Sequence, residues 1–153
     1  MKSDRIARVA AYMKEQSLTQ IVVTSTAAVY YLTGLWIEPH ERMLALYLTE
    51  DGTATLFGNE IFGVESSKEL PVIAHKDSDN PVADLAAVLR PGTLGVDKFW
   101  PSKFLIGLMQ ARPDITPVLG SAPIDTARRF KDAEEQDALR RASRINDQVV
   151  QAA

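Results

Sequence analysis

Apolar positions recur along this chain in two rhythms, and the alternation between them sets the expected fold. Ile6, Val9, Ala10 and Met13 fall at helical spacing, with Arg5, Arg8, Lys14 and Glu15 outside the stripe. A helix is therefore predicted from a Ser3 cap to about Ser17. Ile21-Val22-Val23 is β-branched and apolar on consecutive residues, the pattern of a strand covered on both faces. Val29 to Thr33 reads as a short apolar helical turn, stopped by Gly34, which can take the left-handed conformation without a Cβ clash. Leu44–Thr49 and Thr53–Phe57 flank Glu50-Asp51-Gly52. A short connection ending in glycine predicts a hairpin, so the sheet holds an antiparallel pair and is mixed.

The second half continues the alternation. Asn59 to Ser67 reads as a short helix and Leu70–Ala74 as a strand. Asn80-Pro81 opens a helix, because asparagine caps and proline tolerates the first helical position. Val82, Leu85, Ala86 and Leu89 form its stripe, and Pro91-Gly92 ends it. Leu94-Gly95-Val96 is a strand. Pro101 starts a helix with Phe104, Leu105, Leu108 and Met109 expected inward. Ile115–Leu119 is an expected edge strand, since Pro117 cannot donate to a ladder. Ser121-Ala122-Pro123 opens a short helix to about Arg129. Asp132 to Glu135 is a capping-box start, followed by Ala138, Ala142, Ile145 and Val149 at helical spacing. That pattern is still running at Ala153, so the chain is expected to be a piece of a longer one. The expected division is a compact α/β unit over 1–130 and a linker helix over 131–153.

Composition narrows the function. The 153 residues fit one domain with at most an appended element. A net charge of −3 gives no basic face able to track phosphates, which excludes nucleic acid as a partner. The absence of cysteine excludes disulfides, thiolate catalysis and cysteine zinc sites, and fits a cytoplasmic location. The N-terminus lacks the apolar run of a signal peptide, and no stretch is long enough to span a membrane.

No complete catalytic constellation is visible. His40-Glu41 begins like a helical zinc motif, but Leu44 stands where the second histidine is needed. His75-Lys76-Asp77 reads as a solvated loop after a strand. Phosphate-loop and nucleophile-elbow patterns are absent. The loop Trp36-Ile37-Glu38-Pro39-His40-Glu41-Arg42 gathers an aromatic, an imidazole and charges between regular elements, where binding groups tend to sit. On these residues alone the reading that comes first is a surface loop with Trp36 partly packed on the core.

The run Arg128-Arg129-Phe130-Lys131-Asp132-Ala133-Glu134-Glu135, with Arg141 and Asp147 beyond it, resembles the opening of the catalytic region in the creatinase/prolidase family of metallopeptidases. That family shows R-x-[IV]-K-S-x-x-E there; Phe130 and Asp132 are the departures. Tyr31-Leu32-Thr33-Gly34 is similar to the family's YLTG turn, and Gly95-Val96-Asp97 to its G-[IV]-[ED] strand. The resemblance implies a three-layer α/β/α domain with a mixed sheet of about six strands. It also implies a parent Xaa-Pro dipeptidase or aminopeptidase. The parent's catalytic domain holds two divalent metals, manganese or similar, through two aspartates, a histidine and two glutamates outside this chain. This domain would then be non-catalytic, contributing dimerisation and substrate gating. Trp36, His40 and Arg42 would stand beside a proline-containing peptide in the partner subunit's site. Pairing of Arg42 with Glu38 or Glu41 is the competing reading. Two other functions fit the same residues: the N-terminal domain of a creatinase, or a stand-alone binding or assembly module.

Overall fold

A computed structural model describes residues 1–152. Six strands form one sheet: β1 (Gln20–Val23), β2 (Leu44–Thr49), β3 (Ala54–Asn59), β4 (Val72–His75), β5 (Gly92–Val96) and β6 (Ile115–Leu119). Their order across the sheet is β4-β3-β2-β1-β5-β6. β2 runs antiparallel to both β1 and β3, while the β3–β4, β1–β5 and β5–β6 pairs are parallel. The sheet is mixed because the predicted hairpin turns at Gly52, whose φ is +86°.

Alternation along the strands sorts the core into two layers. Ile21, Val23, Leu44, Leu46 and Leu48 face one way. They are covered by α1 (Ser3–Glu15), α2 (Thr26–Thr33) and α5 (Ala122–Arg129). Val22, Ala45, Tyr47 and Phe57 face the other way, under α3 (Pro81–Val88) and α4 (Ser102–Ala111). The last helix, α6 (Ala133–Ala152), has no buried residue. No helix among the described residues is long and apolar enough to cross a membrane.

Several local expectations need correction. Ser3 is the first helical residue rather than the cap. Lys2 holds the cap position with no side-chain capping hydrogen bond, fixed instead by its N–H to the Leu32 carbonyl at 2.9 Å. The segment from Asn59 to Ser67 makes only a 3-10 turn, Glu60–Phe62, because Gly63 turns left-handed at φ +62°. Met109 is exposed, standing one residue round α4 from the buried Leu108, and Leu105 is half-buried. His75 is not solvated: it is the last residue of β4 and is 5% exposed. β6 is an edge strand, with Pro117 opposite Leu94.

Candidate functional site

The loop after α2 is pinned at both ends and bare in the middle. Gly34 ends α2 at φ +83°, and its N–H reaches the Tyr30 carbonyl at 2.8 Å. Thr33 Oγ1 donates to the Val29 carbonyl at 2.7 Å and accepts from Leu35 N–H at 3.1 Å. Ile37 is buried, and its carbonyl accepts from Thr26 Oγ1 at 2.7 Å. Met43 is buried at the far end. Between these anchors Arg42 N–H bonds to the Pro39 carbonyl at 2.9 Å. That turn holds His40 at φ +50°, a left-handed conformation uncommon for a residue with a Cβ.

Of the three residues singled out in the sequence, His40 and Arg42 border one cavity and Trp36 is set apart from it. Trp36 is 63% exposed, with its ring edge-on to Tyr30 at 5.6 Å. It borders a cavity of about 320 Å³ shared with Arg5, Arg128 and Ala138 of α6. His40 is exposed and borders a different cavity, about 360 Å³, with Thr24, Phe99 and Trp100 beyond the carboxyl ends of β1 and β5. Arg42 is committed to the protein. Its Nε and Nη2 donate to the two carboxylate oxygens of Asp77 at 2.8 Å each, and its Nη1 donates to Glu41 at 2.7 Å. The Arg42 guanidinium holds the Asp77 carboxyl below its ordinary range, helped by Asn59. Of the cavities described, none is lined by all three residues.

The sequence reading did not single out Asp97 as a structural hub. Its Oδ2 accepts from Thr24 N–H, Ser25 N–H and Ser25 Oγ at 3.0–3.1 Å, and its Oδ1 from Phe99 N–H at 3.1 Å. One carboxylate thus ties the end of β5 to the start of α2, which carries the loop. The only signal for it was the Gly-Val-Asp run. Thr24 Oγ1 and Trp100 Nε1 are buried nearby without a hydrogen-bond partner among the described residues. Among the described residues, no three histidine, aspartate or glutamate side chains gather where they could hold a metal.

A mixed six-stranded sheet lies between two helical layers, with a pinned loop following α2. Residues 5–130 match the family described as the creatinase/prolidase N-terminal domain, and the chain belongs to that family. YkvY of Bacillus subtilis is 26% identical over 165 residues, covering 97% of this chain and 43% of its own. The crystal structure of a dipeptidase from Pyrococcus horikoshii superposes with a TM-score of 0.85 at 25% identity, covering 97% of this chain and 43% of that one. The creatinase/prolidase N-terminal domain of an X-Pro dipeptidase from Streptococcus pyogenes shares the fold. Its TM-score is 0.64 at 22% identity, covering 76% of this chain and 94% of that one. The chain thus spans less than half the length of YkvY and of the Pyrococcus dipeptidase.

Proposed function

We propose that this chain serves as the non-catalytic N-terminal domain of an Xaa-Pro dipeptidase or aminopeptidase, helping two copies dimerise and narrowing the site of the other copy. The observation that carries the reading is the loop. It is anchored at Ile37 and Met43, yet leaves Trp36 and His40 free to meet something outside the domain. The match to the Pyrococcus dipeptidase over 97% of this chain supports a peptidase parent. In the proposed role Trp36 supplies an apolar wall for a proline ring and His40 a hydrogen-bonding group. Arg42 is the strut that fixes the loop through Asp77. Two divalent metals would belong to the catalytic part, where they activate water and polarise the scissile carbonyl. A cytoplasmic peptidase acting on small proline peptides fits the absence of cysteine.

The test is an assay of the full gene product with Mn²⁺, offering an Xaa-Pro dipeptide and creatine in parallel. Dipeptide turnover by a species of dimer mass in sedimentation supports the proposal. Turnover of creatine alone, or a monomer with full dipeptidase activity, overturns it.

A further inference from the structure

The cavity on the other side of the Arg42–Asp77 pair has no part in the role just proposed. It measures about 490 Å³, within the range of small-molecule sites. It opens at the carboxyl ends of the parallel pair β3 and β4, where Asn59 and His75 stand in register. Open α/β sheets receive ligands at such ends. The facing wall is the start of α3 and one side of α4.

Most polar groups around it are already satisfied. Asp77 accepts from Arg42 Nε and Nη2 and from the Asn59 amide. Asp79 accepts from Lys76 N–H at 2.8 Å, and Asn80 accepts from Val82 N–H at 3.1 Å. His75, Lys76 and Lys103 still have donors to give among the described residues. The His75 ring is buried against the cavity, and no hydrogen bond from the described residues reaches it. Burial pushes the His75 imidazole below its ordinary value, so at neutral pH it offers one N–H and one lone pair. Among the described residues, the Lys76 ammonium has no ion-pair partner within 4.0 Å. Lys103 gives one N–H to the Glu41 carbonyl at 2.7 Å and keeps the others. The positive end of α3 adds to the same field. Val82 and Phe104 supply an apolar floor.

We propose that this cavity binds a small carboxylate bearing an apolar group. The carboxylate is taken by His75, Lys76 and Lys103, and the apolar part lies on Val82 and Phe104. Such a head belongs to a free organic acid or to a peptide C-terminus.

The experiment titrates the chain, with ¹⁵N-labelled histidine, against 4-phenylbutyrate, 4-phenylbutyramide and N-acetyl-Ala-Phe. The His75 ring signals are assigned by their loss in His75→Gln. Phenylbutyrate should shift them saturably with a Kd of about a millimolar or tighter. The amide should bind about tenfold more weakly, and Lys103→Met should weaken phenylbutyrate about tenfold with an unchanged melting curve. Tighter binding of the acetylated dipeptide assigns the source to peptide C-termini; weaker binding assigns it to free acids. No shift at His75, an equal response to the amide, or full affinity in Lys103→Met overturns the proposal.

Discussion

Trp36 stays largely in solvent although it borders a cavity. Ile37 takes the buried position beside it, and Tyr30 meets it in a T-shaped contact. A large exposed ring on a pinned backbone keeps its area for a partner and loses little entropy on binding. In the proposed peptidase parent, Trp36→Ala should therefore raise KM several-fold with kcat nearly unchanged, as expected when a wall is lost and the reacting groups are untouched. Steady-state kinetics on an Xaa-Pro dipeptide decide it, and an unaltered KM would remove Trp36 from the site. Arg42 shows the limit of reading single residues. Its pairing with Glu41 was foreseeable from adjacency, but its main partner, Asp77, lies 35 residues away. Asp51 gives a pH signature at the same scale. It accepts from Thr49 Oγ1 at 2.6 Å and from Thr53 N–H at 2.9 Å, which lowers its pKa from 3.8 to about 2. A depressed carboxyl contributes stability that is present above its unfolded value and lost as pH falls through the folded one. Urea titrations at pH 7 and pH 3 should show Asp51→Asn losing less stability on acidification than the parent sequence.

The elements were legible where one physical rule dominates a stretch. Asn80-Pro81 caps α3 as expected, with Asn80 Oδ1 accepting from Val82 N–H at 3.1 Å. The Asp132–Glu135 capping box is reciprocal: each backbone N–H bonds the other's carboxylate, at 3.0 and 2.9 Å. Elements fixed by distant packing were not legible. Gln20 looks like an ordinary polar residue, yet it is fully buried. Its amide bridges the Arg90 and Thr93 carbonyls, while its oxygen accepts from Arg90 N–H and the Tyr47 hydroxyl. His75 was misplaced for the same reason, since nothing local shows that β4 carries it under α3. Gly95 and Gly120 are a further case. A Cβ on Gly120 would lie 2.5 Å from the Gly95 carbonyl carbon, and one on Gly95 would lie 2.7 Å from Ile21 Cγ2. These glycines let the chain after β6 press against β5, with Gly120 N–H bonded to the Val96 carbonyl at 2.8 Å. Gly120→Ala should cost about 3 kcal/mol, since backbone must move. Gly107→Ala in α4 meets only Val82 Cγ2, at 3.6 Å, and should stabilise by up to about 1 kcal/mol. Urea midpoints of the two variants should move in opposite directions.

At the scale of the molecule, α6 touches the body only at its root. Arg5 is buried on α1 and donates through Nε and Nη2 to Asp132 at 2.9 and 2.8 Å. Its Nη1 donates to the Tyr31 carbonyl at 3.1 Å, and its guanidinium lies 4.7 Å from the Tyr31 ring centre. Lys2 reaches Glu134 at 3.0 Å. Beyond these, Leu139, Ile145, Val149 and Val150 are all more than half exposed. A helix of 20 residues with no buried side chain gains little from packing and is marginal in water on propensity alone. The body and α6 should therefore separate in stability. Removing residues 141–153 should shift the melting temperature by less than about 2 °C, because no buried contact is lost. Arg5→Ala should lower stability by about 2 kcal/mol, because it strips the Asp132 carboxylate of its partner and opens the junction between α1 and α2. Amide exchange should agree, fast along α6 and slow in β1 and β2 at the centre of the sheet. A large loss of stability on truncation would mean that α6 is packed in solution against something, and sedimentation of the two forms would show whether that is a second copy of this chain.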